Sequence, residues 1–219
     1  MIGRPPIFAD RRDAGRKLAP ALMRYADEDP VVLALPRGGV PVAHEVAAAL
    51  GAPLDLLFVR KIGAPGHPEL GLGAVVDGAD PQVVLNPAVE RQVEPPPGYV
   101  ERETDRELAE IERRRRAYLG ERPPVPVRDR TVIVVDDGVA TGGTVRAALQ
   151  GLARAGARRV ILAAPVGPED VLDSLLESAD EVICLATPEP FYAVGLWYGD
   201  FAQTTDREVV ELLTAARGG

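Results

Sequence analysis

Val132, Ile133, Val134 and Val135 form an unbroken β-branched run, with none of the alternation that marks a half-exposed strand. Such a run fits a strand buried on both faces, as at the centre of a parallel sheet. Asp136 and Asp137 follow where that strand should end, and Ala140, Thr141, Gly142, Gly143 and Thr144 come next. A helical stripe of Val145, Ala148, Leu149 and Leu152 then opens, with Gly156 placed to stop it.

Strand, acidic pair, glycine turn and helix together suit a phosphorylated sugar. Glycines let backbone N–H groups approach phosphate oxygens, and the helix N-terminus adds partial positive charge. Thr141 and Thr144 can donate hydroxyl hydrogen bonds to the same phosphate. A phosphate alone gains nothing from two nearby carboxylates. The vicinal hydroxyls of a ribose do, as donors, and so does a magnesium ion on the same ligand. A glycine-rich turn after a strand is common, so the acids carry the specificity. No lysine follows the glycines as in a nucleotide P-loop, and G-x-G-x-x-G is absent. The magnesium pocket of a phosphorelay receiver also has acids at a strand end, but it needs no T-G-G-T.

Val132 to Thr144 closely resembles the motif by which type I phosphoribosyltransferases bind 5-phosphoribosyl-1-pyrophosphate (PRPP): four hydrophobics, two acids, then a loop ending T-G-G-T. The resemblance implies that Asp136 and Asp137 face the ribose hydroxyls and that Ala140, Thr141, Gly142, Gly143 and Thr144 hold the 5-phosphate. It implies Mg2+ as cofactor, with Asp136 and Asp137 reaching the metal indirectly or through PRPP. Members acting on 6-oxopurines usually carry an Asp, proposed to transfer a proton, where this chain has Ala140. That departure speaks against hypoxanthine–guanine activity, and A-T-G-G-T looks more like the adenine branch.

A second strand–glycine–helix unit lies earlier. Val31 to Leu35 reads as a short strand running into Pro36-Arg37-Gly38-Gly39, with a helix from about Pro41 to Leu50 closed by Gly51. Alone this is a tight turn whose amides suit an anion. Beside the first motif it resembles the family's pyrophosphate loop, which assigns Arg37, Gly38 and Gly39 to pyrophosphate and fits a cis peptide before Arg37. His44, on the following helix, reads as a helix-surface or core residue. Before this unit, Ala14, Leu18, Leu22 and Tyr25 predict an amphipathic first helix over residues 10–26 with Asp10 as its cap.

Only two of the 25 basic residues are lysines, Lys17 and Lys61, in a chain that otherwise writes Arg. Lys61 ends the strand predicted over Leu54 to Val59 and precedes IGAPGHPELGLGAV. That glycine- and proline-rich stretch reads as irregular and suited to a mobile lid. In the family a flexible loop at this point closes over the reacting centre, which makes Arg60, Lys61 and His67 its cationic candidates for pyrophosphate, with Lys61 also a catalytic candidate. Glu69 reads as a solvated loop carboxylate.

Residues 77–128 read as a helical insertion. Val83 to Leu85 predicts an extra strand, and Glu101 to Leu119 a long charged helix with a thin stripe of Leu108, Ile111, Arg115 and Tyr118. Glu110 and Glu112 stand four residues before Arg114 and Arg116, so the Arg113–Arg116 run reads as a solvated helix or a subunit contact. Arg159 to Ala164 and Glu181 to Ala186 predict two more parallel strands, with a helix over about Pro168 to Ser178 between them. Alternating strands and helices imply an α/β, doubly wound, mainly parallel sheet with ligands at the strands' C-terminal edge. Five of ten aromatics fall between Phe191 and Phe201. Residues 187–204 therefore fit either an apolar plug or, as in the family, a hood whose Phe191, Trp197 and Tyr198 stack on an acceptor base. Thr205 with Glu208 predicts a capping box for a closing helix.

The 219 residues suit one domain spanning 1–219, and a net charge of −8 argues against nucleic-acid and anionic-membrane partners. No apolar run is long enough to span a bilayer and no secretory leader is evident, so a cytoplasmic protein with small-molecule substrates is expected. Cys184 sits in an apolar run and reads as an inert core thiol. Whether the chain forms a homo-oligomer is left open. The resulting expectation is a magnesium-dependent phosphoribosyltransferase acting from PRPP on a nitrogen acceptor, with a PRPP-binding regulator as the alternative. A PRPP synthetase ranks third, because the chain lacks that enzyme's duplication.

Overall fold

A computed structural model describes residues 5–216; residues 1–4 and 217–219, the two ends of the expected 1–219 domain, lie outside it. The chain begins with α1 (Arg11–Leu22), capped by Asp10, whose carboxylate accepts a hydrogen bond from the Asp13 amide at 2.7 Å. The predicted helix tail tightens into a 3-10 turn, Met23–Glu28, that still buries Tyr25. Then come β1 (Val31–Ala34), α2 (Gly39–Leu50), β2 (Leu54–Leu56), β3 (Val59–Ala64), β4 (His67–Val76) and β5 (Gln82–Leu85). The rest comprises α3 (Pro87–Val93), α4 (Tyr99–Leu119), β6 (Thr131–Val135), α5 (Gly143–Arg154), β7 (Arg159–Val166), α6 (Glu169–Leu175), β8 (Glu181–Ala186) and α7 (Asp206–Ala215).

The main sheet runs β2-β1-β6-β7-β8 with every neighbouring pair parallel. Its central strand β6 is buried throughout, and successive residues serve opposite faces. Ile133 and Val135 pack with Leu18, Val42 and Leu212, under α1, α2 and α7. Val132 and Val134 pack with Leu149, Leu152 and Leu172, under α5 and α6. Helices on both faces explain why the strand sequence shows no alternation. The fold is the α/β, doubly wound architecture that the pattern implied, and β6 and β8 lie within a residue of their expected limits. Among the described residues no helix is long and apolar enough to cross a membrane.

Two sequence readings are corrected. The strand expected from Leu54 to Val59 breaks after Leu56, and β3 belongs to a separate antiparallel sheet ordered β3-β4-β5. The supposed irregular lid is the β3–β4 hairpin itself, turning at Pro65–Gly66. Its glycines serve close packing. A Cβ on Gly63 would stand 2.7 Å from the Pro68 backbone, and one on Gly73 would stand 2.5 Å from the Val84 carbonyl oxygen. This small sheet is held against α5, where Gly151 lets the helix approach Val76 to a distance a Cβ would close to 2.7 Å.

Residues 77–128 supply β5, α3 and α4, and α4 is not simply solvated. Glu107, Ile111, Arg115 and Leu119 recur every four residues along its buried face. Arg115 donates to Asp77 at 2.7 Å, to Asp55 at 3.2 Å and to the Leu56 carbonyl at 3.2 Å. Helical spacing sets Arg115 on the stripe with Ile111, and the fold supplies what the sequence could not, its buried partners. Burial raises the Asp77 carboxyl above its ordinary range, against the opposing pull of Arg115. Arg115→Met should therefore leave two buried carboxylates uncompensated and cost about 3–5 kcal/mol. Denaturant unfolding would measure this, and a loss below about 1 kcal/mol would show the pair to be dispensable.

Candidate functional site

The two glycine loops meet at the C-terminal edge of the sheet. Pro36–Arg37 is a cis peptide, as the resemblance expected, and α2 begins two residues later. Gly38 and Gly39 lie directly on the acidic turn. A Cβ on Gly38 would stand 2.1 Å from Asp137 Oδ2, and one on Gly39 would stand 2.6 Å from the Val135 carbonyl oxygen. Only glycine lets these loops share the edge.

Asp136 Oδ1 accepts the Asp137 amide at 2.8 Å. Burial, then the neighbouring Asp137 charge, raises the Asp136 carboxyl well above its ordinary value. Burial also raises Asp137, opposed by Arg11, whose Nε donates to Asp137 Oδ2 at 2.7 Å. Arg11 also donates through Nη1 to the Ala202 carbonyl at 2.7 Å, and its guanidinium lies 3.8 Å from the centre of the Phe201 ring. Sequence reasoning missed this residue. Arg11 is one of several arginines on the first helix, and only the tertiary contact across 126 positions distinguishes it.

The segment 187–204 does sit on this edge. Gly138 leaves room for Val194, which a Cβ there would approach to 2.5 Å. Trp197 and Tyr198, however, are buried in a small core with Phe8, Ala14 and Val166. Their rings pack the segment down, so no open ring face remains on them for a base. The Tyr198 hydroxyl donates to the Asp137 carbonyl oxygen. Burial raises that hydroxyl above its ordinary pKa and keeps it a donor. Phe191 is half-buried beside Trp197, and Tyr192 is exposed.

Ala140, Thr141, Gly142, Gly143 and Thr144 form the turn into α5. Gly142 adopts φ +74, no side chain caps the helix, and its first-turn amides have no intrahelical acceptor. Thr141, Gly143 and Thr144 line a cleft of about 590 Å3 with Lys61 on its other side. Strand alternation explains why Lys61 reaches the cleft and Arg60 does not. Arg60 points the other way and donates to Glu107 on α4 at 2.7 Å. Lys61 pairs weakly with the exposed Glu69 carboxylate at 3.3 Å and donates to the Glu69 carbonyl at 3.4 Å. His67 lies at the exposed hairpin tip, lining a different hollow with Gln92 and Val93. Arg37 donates to Asp206 at 3.0 Å. His44 is half-buried on α2.

Asp136 and Asp137 supply hard oxygen donors, which suits magnesium, but two carboxylates fill only part of its coordination shell. Among the described residues no group of three or more His, Cys, Asp or Glu side chains converges on a metal position. A magnesium ion would therefore need oxygens from substrate and water beside this pair.

Residues 9–188 match the family model described as phosphoribosyl transferase domain. A Mycobacterium tuberculosis protein, provisionally named a phosphoribosyl transferase, is 47% identical over 210 residues, covering 96% of this chain and 47% of that protein. The chain thus spans about half the length of the curated relatives it matches. A solved structure from Thermus thermophilus aligns with a TM-score of 0.83 at 45% identity, covering 95% of this chain and 98% of that one. An Aquifex aeolicus structure reaches a TM-score of 0.50 at 12% identity, covering 94% and 85%, a likeness of fold alone.

The loop contact makes a paired prediction. Gly38→Ala should force the Asp137 carboxylate aside and cost about 1–3 kcal/mol by overpacking. Gly143→Ala, where an added Cβ meets nothing within 4 Å, should stay within about 0.5 kcal/mol of the parent chain. Equal unfolding midpoints for both variants would mean that the loops do not press together as described.

Proposed function

The chain belongs to the phosphoribosyl transferase domain family, and on that premise we propose that it transfers the 5-phosphoribosyl group from PRPP to a nitrogen acceptor and releases pyrophosphate. The observation that carries this reading is the close contact of Gly38 and Gly39 with the Asp136–Asp137 turn, together with the cleft that Lys61 lines with Thr141, Gly143 and Thr144. Each part of PRPP then has a partner of matching chemistry.

The α5 N-terminus, with Thr141 and Thr144, takes the 5-phosphate. Asp136 and Asp137 accept from the ribose 2- and 3-hydroxyls and fix the ring, while Arg11 and Tyr198 hold Asp137 in place. The amides of Arg37 and Gly38 and the Lys61 ammonium take the pyrophosphate, while the Gly39 amide closes the turn on the Leu35 carbonyl at 3.0 Å. The acceptor nitrogen attacks C1 as the bond from C1 to the pyrophosphate oxygen breaks, and charge grows on the departing oxygens. Catalysis here is positioning plus neutralisation of that charge. Magnesium, when bound, supplies further positive charge to the phosphate oxygens. Arg60 and His67, turned elsewhere, take no part in this scheme. The acceptor stays open among nucleobases and related amines, and Phe191 and Tyr192 are the rings of the 187–204 segment left to meet it. A cytoplasmic role in nucleotide salvage accompanies the reading.

Calorimetric titration with PRPP, with and without magnesium, followed by a nucleobase panel monitored for pyrophosphate, tests the proposal. Binding with turnover supports it. Binding without turnover of any acceptor favours a PRPP-sensing role, and no binding in either condition overturns both. Asp137→Asn should keep the fold and weaken PRPP binding or turnover by at least about tenfold, since it removes a charge-assisted acceptor. Unchanged kinetics with PRPP would sink the ribose assignment.

A further inference from the structure

A cleft of about 760 Å3 opens beside Pro36 and Arg37, between α4 and α7. Four arginines line it: Arg37 from the turn, Arg113 and Arg114 from α4, and Arg207 from α7. Asp206 is the one carboxylate among the residues lining it. Two more acids stand behind the arginines on the same helices. Glu110 accepts from Arg113 at 2.8 Å and from Arg114 at 2.7 Å, and Glu211 pairs with Arg207 at 3.0 Å.

These pairings leave donors over. Arg114 reaches Glu110 through Nε, and Arg37 reaches Asp206 through Nη1, so each keeps terminal N–H groups for an incoming anion. The Arg207–Glu211 pair is largely exposed, and the Arg37 and Arg114 side chains keep 37% and 41% exposure in theirs, so all three guanidiniums stay within reach of solvent. Tyr118 closes one wall, its hydroxyl donating to Asp206 at 2.6 Å. In a chain of net charge −8, four guanidiniums from three separate elements on one cleft need an explanation other than bulk basicity.

We propose that this cleft is a second ligand site, for an oligophosphate: free polyphosphate, or the phosphate chain of a nucleotide. Planar forked guanidiniums match phosphate oxygens, and several of them at once select a chain of phosphates over a single one. The volume suits a ligand of that size. Arg37 belongs to both the cleft and the glycine turn, so an oligophosphate that draws Arg37 off Asp206 also acts on the turn beside Asp137. The site does not depend on the PRPP reading.

The test is calorimetric titration of the whole chain with inorganic tripolyphosphate and, separately, ATP, without magnesium. The parent is compared with Arg113→Gln/Arg114→Gln/Arg207→Gln and with the milder Arg114→Gln/Arg207→Gln. The expected result is that the triple variant loses one tripolyphosphate per chain, or binds it at least about tenfold more weakly, at unchanged PRPP affinity and unfolding midpoint. The double variant should show a smaller loss in the same direction. Loss confined to ATP assigns the site to a nucleotide, and loss with both probes assigns it to the phosphate chain alone. Equal stoichiometry and affinity in parent and variants, or no binding of either probe to the parent, overturns the proposal. PRPP titrated on the same proteins reads the other site separately, so either assignment can fail without the other.

Discussion

Two carboxylates side by side at the end of a buried strand are an electrostatic problem that must be answered nearby. The answer here is assembled from the two ends of the chain. Arg11, at the start of the first helix, supplies the opposing charge to Asp137, and Tyr198, late in the chain, fixes the same residue by its carbonyl. Ala202 and Phe201 hold Arg11 in turn, so first helix, acidic turn and late aromatic segment form one closed set of contacts. The arrangement makes the acids a rigid, partly neutralised acceptor surface, where a fixed hydroxyl donor gains more than it would in water.

The central strand, both glycine turns and the order of alternating elements were legible from sequence because each is a local pattern. A β-branched run, an acid pair and a glycine cluster report their own backbone needs. What stayed hidden is what side chains do at a distance. Arg11 looks like Arg12 until the fold places Asp137 beside it. Arg115 stands on the helix's apolar stripe in the sequence, but nothing there names Asp55 and Asp77 as its partners. Arg60 and Lys61 look like one basic patch, and strand alternation sends them to opposite faces.

The glycine-rich stretch after Lys61 misled for a physical reason. Glycine signals flexibility only when nothing needs the space a side chain would fill. Gly63 and Gly73 face backbone at distances no Cβ tolerates, so there glycine marks tight packing in a hairpin. Of the two readings open for the late aromatics, the apolar plug is the one that Trp197 and Tyr198 follow. Trp197 and Tyr198 carry large apolar surface, and the chain uses it to seat its own segment on Phe8 and Val166 rather than to meet a ligand.

Gly151 carries a consequence of its own. Helix α5 starts at the T-G-G-T turn and, two turns on, rests against Val76 of the hairpin that bears Lys61. The gap between Lys61 and the T-G-G-T turn is thus gauged by a single hydrogen atom at position 151, acting as a shim between helix and sheet. Any larger side chain there would wedge the two walls apart and reshape the cleft between them, with every residue of the cleft itself left untouched.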